Sequence, residues 1–163
     1  MSIPTKEEFF APLPVPDDDS FSPDMKEAWS QFGGKSMDEA YEHFCDAPNS
    51  RPEDFMFMPE GGFRYYFPVL DRYLRNLSPM LEDSSFDYPR AGWFIAHAIK
   101  MHFGCQEDMS GLHEPILALC DYVCAHLSHL DFEPVGQEEI RAAWADLRQK
   151  VADDTHGLHP PRK

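Results

Sequence analysis

Four side chains in the last third of the chain have the types that hold transition metals: Cys120, Cys124, His126 and His129. Thiolate and imidazole ligands at short spacing suit zinc. A helix turns each residue by about 100°, however, which puts Cys120 and Cys124 on one face and aims His126 and His129 away from it. One helix cannot close a tetrahedron with that set. The two cysteines read instead as small core residues, and neither a metal nor another cofactor is expected. Cys45 and Cys105 complete an irregular spacing with no C-x-x-C pair, which points to reduced thiols in a cytoplasmic protein.

His97 and His102 are the next candidates for proton transfer. They are five residues apart and do not share a helix face, and Trp93 lies one turn before His97. Catalysis by either would require a carboxylate such as Asp71, Glu114 or Asp121 to be delivered by the fold. No G-x-S-x-G, H-E-x-x-H or P-loop pattern occurs. Gly61-Gly62 lacks the Lys and Ser/Thr of a phosphate cradle, and reads as a close helix contact or a loose first turn. No catalytic residue is expected.

Charge narrows the class of partner. The 163 residues carry a formal net charge of −15, and the excess is uneven. Residues 1–60 hold 14 acidic and 4 basic side chains, against 15 and 10 in residues 61–163. Such a surface repels the phosphates of bare nucleic acid and anionic membranes. It speeds encounter with a basic protein. The expected partner-binding residues are Asp17, Asp18, Asp19, Glu53 and Asp54, with Arg64 and Tyr65 added because Arg and Tyr concentrate at binding hot spots. The opposing reading of the last two makes Tyr65 and Tyr66 core residues with wet hydroxyls and pairs Arg64 with Glu60.

The elements that must position these residues are helices. Residues 1–21 read as an extended, Pro-rich acidic arm, because Pro4, Pro12, Pro14 and Pro16 interrupt regular bonding. Phe9, Phe10, Leu13 and Phe21 can pin it to the body. Ser22 and Pro23 open a helix that Gly33-Gly34 ends. Ser36-x-x-Glu39 is a capping box for a second. Phe55–Met58 is the best candidate for a short extended piece. Pro59 starts a helix with the apolar stripe Phe63, Phe67, Leu70, Leu74, Leu77, and Pro68 must kink or divide it. Residues 89–103 are apolar on nearly every side, as a buried central helix would be. Helices over about 111–130 and 137–151 follow. The expected fold is all-α: a compact orthogonal bundle of six or seven helices around residues 89–103, with one domain over 22–152 and a flexible tail at 153–163. No apolar run is long enough to span a membrane, and the first residues have no signal-peptide pattern.

Phe63-Arg64-Tyr65-Tyr66-Phe67-Pro68, with Glu53-Asp54-Phe55-Met56-Phe57-Met58 and Phe32-Gly33-Gly34-Lys35-Ser36, resembles an uncharacterised bacterial domain-of-unknown-function family of small acidic helical proteins. The resemblance covers residues 22–80, about a third of the chain. It implies a helical cytoplasmic bacterial protein, in some members a suspected immunity partner of a toxin, and supplies no catalytic residue.

The functional expectation is therefore a non-enzymatic acidic binding protein, an immunity or inhibitor protein that occludes the site of a toxin or basic enzyme. The alternatives are a structural or regulatory helical module that homodimerises, and an enzyme with a cryptic His/carboxylate site.

Overall fold

The structure is a computed structural model and describes residues 2–14, 22–77, 91–103, 108–130 and 134–155. Asp17, Asp18, Asp19, Phe21 and Cys105 lie outside the described residues. The described residues form an all-α bundle: α1 (Lys6–Phe10), α2 (Pro23–Phe32), α3 (Met37–Cys45), α4 (Pro52–Met56), α5 (Glu60–Asn76), α6 (Ala91–His102), α7 (His113–Ala125) and α8 (Pro134–Thr155), with a 3-10 turn at Leu127–His129. No strand occurs among them.

Local signals explain most boundaries. Ser22 caps α2 through the Asp24 amide, with Pro23 at the first helical position. Ser36 and Glu39 form the expected capping box at the start of α3. A second box lies where the sequence suggested only an extended arm. Thr5 accepts from the Glu8 amide at 3.3 Å, and the Glu8 carboxylate accepts from the Thr5 amide at 2.8 Å. These two bonds nucleate α1, so residues 6–10 are helical rather than extended, and Phe9 and Phe10 are fully buried. The expected extended piece at Phe55–Met58 is also corrected: Pro52 opens α4, which runs to Met56 and buries Phe55 completely. Packing of one ring decides this against the weak β preference of the segment.

α5 is a single 17-residue helix that contains Pro68. Pro68 is exposed, so the carbonyl that loses its amide donor is on the water side, where the loss costs least. The opposite face buries Phe63, Tyr66, Phe67, Leu70, Tyr73 and Leu74. α5 packs against α1, α3, α6 and α7, which makes it the hub of the bundle. α6, the expected central helix, is buried on one side only. Ile95, Ala98 and Ile99 are inside, whereas Trp93 is 38% and Met101 41% exposed.

The continuous helix expected over 111–130 ends at Ala125 without a glycine. The His126 ring supplies the reason: its Nδ1–H donates to the Tyr122 carbonyl at 2.8 Å, the acceptor that the next helical amide would have used. The His126 amide turns back to Val123 instead and starts the 3-10 turn. α8 extends beyond the expected 137–151, with Pro134 at its start. Asp153 and Asp154, assigned to a loose tail, are helical.

Two kinds of core meet in the bundle. α1–α5 pack rings edge to face: Phe9 on Trp29 (5.0 Å between centroids), Phe32 on Phe55 (4.9 Å) and Phe44 on Tyr73 (4.9 Å). α6–α8 pack mainly aliphatic residues around Trp144, whose indole N–H donates to the Gly92 carbonyl at 2.8 Å. His102 links the halves. It is buried, stacks on Phe63 at 3.8 Å, and donates from Nε2 to the Phe55 carbonyl at 2.8 Å.

Tyr66 closes the first half. Its hydroxyl lies 2.6 Å from the Phe32 carbonyl oxygen and 2.8 Å from that of Lys35, and shares one proton between them. Burial pushes the phenol up to about 12, so it stays a donor at any physiological pH. Replacing Tyr66 with Phe removes this donor and keeps the ring. Urea denaturation should show a loss of about 1–3 kcal/mol of unfolding free energy, with the helical circular dichroism of the native protein unchanged.

Candidate functional site

The carboxylates of the first half come from four helices. Glu7 and Glu8 on α1, Asp24 and Glu27 on α2, Asp38, Glu39 and Glu42 on α3, and Glu53 on α4 are all exposed. Lys26, Lys35 and Arg51 are the basic residues of α2, α3 and the loops around them. α2 packs on α4, and this brings Glu27 near Glu53 and Asp54. The Asp54 carboxyl is pushed up from its ordinary value by burial; its pairing with Arg51 opposes this, and the negative charges of Glu27 and Glu53 add smaller upward contributions. Glu53 points to solvent. The Asp54 side chain is only 12% exposed and is held by Arg51 at 3.4 Å. Glu53 is thus available to a partner, and Asp54 mainly positions Arg51.

A polar chain joins α2 to α3. Gln31 Nε2 donates to Glu27, and Gln31 Oε1 accepts from His43 Nε2 at 3.0 Å. His43 sits edge-on to Phe32. Burial, then the charges of Arg51 and Lys35, push its pKa below the ordinary value, with Asp46 opposing. This chain was not visible in the sequence, because Gln31 and His43 lie on different helices and neither belongs to a motif.

Arg64 and Tyr65 are on another part of the molecule. They line a cleft of about 470 Å³ between residues 2–8, the first turn of α5, and Gly111-Leu112. Gly61 lines the cleft, and Gly62 is buried beneath it. A Cβ on Gly61 would sit 2.0 Å from the Glu8 carbonyl oxygen, and one on Gly62 would meet the Phe9 ring at 2.6 Å. The Gly61 amide donates to the Ala11 carbonyl at 2.9 Å. Of the two roles open to Gly61-Gly62, the close helix contact is the one realised, since only glycine lets α1 lie this near. Arg64 does not pair with Glu60 as expected. Both reach Asp108 instead: Arg64 donates to its carbonyl, and the Glu60 carboxylate accepts from its amide at 3.0 Å. Tyr65 is half-buried, edge-on to Tyr66 at 4.7 Å. Tyr66 is a core residue whose hydroxyl is bonded to backbone rather than wet.

The histidines divide by burial. His97 is exposed and stacked on Trp93 at 5.4 Å. With Lys100 and Asp146 it lines a cleft of about 140 Å³. That space is below the size of pockets that enclose a small substrate, and the Asp146 carboxylate is taken by Lys100. His102 is enclosed. A His–carboxylate pair does form elsewhere: His113 Nε2 and Asp154 join α7 to α8 at 2.7 Å. Cys120 is fully buried, and burial pushes its thiol up to about 12. Cys124 is half-buried, His126 is committed to the Tyr122 carbonyl, and no group of three or more metal-type side chains forms among the described residues. None of the helices described is long and apolar enough to cross a membrane.

No protein-family model matches the chain, and no curated protein or solved structure matches it either. The three segments Phe32–Ser36, Glu53–Met58 and Phe63–Pro68 nonetheless meet in space, through the Tyr66 hydroxyl and the Phe32–Phe55 and Phe32–Tyr66 ring contacts.

His43 gives the packing of α3 on α2 a measurable pH signature. Its folded pKa is lowered, so between that value and the ordinary 6.5 the unfolded chain binds more protons than the folded one. Stability therefore rises with pH through this window, is free of the penalty above it, and carries the full penalty below it. His43→Gln keeps a hydrogen-bonding group beside Gln31. Denaturation between pH 5 and pH 7.5 should show a shallower loss of stability on acidification for the variant than for the unaltered protein.

Proposed function

We propose that the protein is a non-enzymatic acidic binding protein that occludes a basic surface on another protein. An immunity or inhibitor protein for a toxin or basic enzyme is the form that this reading takes. One observation carries it: α2 packs on α4, so the exposed carboxylates of Glu27 and Glu53 sit on neighbouring helices beside the half-buried Asp54. Keeping like charges together costs folding free energy, and a cationic partner returns it on binding. The aromatic packing beneath these helices makes the surface stiff, so little ordering entropy is lost in the complex. Asp17, Asp18 and Asp19 add to the same negative end of the sequence.

Homodimerisation is the competing reading. It is favoured by the exposed Trp93 on α6, a helix that carries no carboxylate and no part of the acidic surface.

Affinity capture from the native host tests the proposal. At low salt the immobilised chain should retain a protein of strongly basic isoelectric point. Retention should fall steeply with added salt and be lost in a Glu27→Lys/Glu53→Lys variant whose circular dichroism is native. Retention that survives both this double reversal and reversal of Asp17, Asp18 and Asp19 contradicts it.

A further inference from the structure

Arg64 is the feature that an acidic docking surface does not account for. In a chain with 29 acidic and 14 basic residues, an arginine is expected to find a carboxylate. Glu60, one turn before it, is well placed by spacing for such a pair. The fold separates them instead. Glu60 accepts from the Asp108 amide, and Arg64 donates through Nη1 to the Asp108 carbonyl. The guanidinium is thereby anchored at one corner. Its Nε and Nη2 make no bond to any described residue, and no Arg64 nitrogen is both buried and unpaired. The remaining donors are therefore open to the cleft of about 470 Å³ that Arg64 lines.

The rest of the wall suits a particular ligand chemistry. Tyr65 presents a half-buried ring, and Pro4 and Leu112 add apolar surface. Gly111 has no side chain, and a Cβ there would stand 2.9 Å from Arg64 Nη2, so the glycine leaves that nitrogen uncovered. The cleft is an open groove, so a ligand held there keeps one side in water. A planar guanidinium with two free neighbouring donors is matched by a carboxylate, which can accept both bonds side by side. Glu8 lies on the same wall and disfavours a ligand with more than one negative charge.

We propose that this cleft binds a small monocarboxylate with an aromatic or apolar body, its carboxylate held by Arg64 Nε and Nη2 and its body against the Tyr65 ring. The site is separate from the acidic surface of α2 and α4, so it stands or falls independently of the binding function proposed above.

Phenylacetate and its neutral isostere phenylacetamide are the probes, titrated into the full-length isotope-labelled protein and followed by nuclear magnetic resonance. Phenylacetate should shift the Arg64 Nε–Hε, Gly111 amide and Tyr65 ring signals saturably, and bind about tenfold more tightly than the amide. Arg64→Gln should bring phenylacetate down to the level of the amide while the remaining amide spectrum stays native. Tyr65→Leu should weaken both probes alike. Equal affinity of the two probes in the unaltered protein overturns the proposal, as does phenylacetate binding that Arg64→Gln leaves unchanged. The probe comparison needs no variant, so it decides the matter even if Arg64→Gln fails to fold.

Discussion

The Tyr66 hydroxyl, wedged between the Phe32 and Lys35 carbonyls, holds the turn joining α2 and α3 against the middle of α5. That contact fixes the height of Phe32, and Phe32 in turn sets Phe55 and His43 around it. α4 is only five residues long, too short to be stable by its own hydrogen bonds. It exists because Phe55 has a slot between Phe32 and Phe44. The acidic first turn of α4, with Glu53 and Asp54, is thus positioned by a ring on its inner side. Edge-to-face contacts of this kind each add modestly to area burial, and their number here makes the first half stiff.

A similar economy governs the start of α5. Removing two side chains, at Gly61 and Gly62, lets α1 lie against the helix start. The Thr5–Glu8 capping box then keeps α1 helical over a single turn. Together they build one wall of the Arg64 cleft. The cleft is built on the first turn of α5, and α2 is tied to the same helix through Tyr66, so a substitution on the inner face of α5 reaches both.

Much of this was legible in the sequence, because the signals were local. Ser22-Pro23, Ser36-x-x-Glu39 and the stripe from Phe63 to Leu74 each state a helix in a few residues. Thr5-x-x-Glu8 was equally legible and was outweighed by the surrounding prolines, although those fall outside the turn that the box closes. The end of α7 was not legible, since it is made by a side chain, His126, that takes over a backbone acceptor. The burial of α6 was overstated because composition counts apolar residues without saying how many neighbours cover them, and Trp93 and Met101 are left outside. Among the candidate site residues, pairing was the hidden variable. Spacing suggested Glu60 with Arg64, but both were drawn to Asp108, which is 44 residues from Arg64 and could not be placed by periodicity. The closeness of Glu27 to Asp54 likewise arises from helix packing alone.

Like charges gathered across two helices are the centre of this account, and Asp54 reports on them directly. Its carboxyl can be titrated by carbon-detected nuclear magnetic resonance in the unaltered protein and in Glu27→Gln. Loss of the Glu27 charge should move the Asp54 midpoint down, toward the ordinary carboxylate value, because one of the groups raising it is gone. An Asp54 midpoint that does not move would mean that α2 and α4 do not share one negative surface, and would contradict the account.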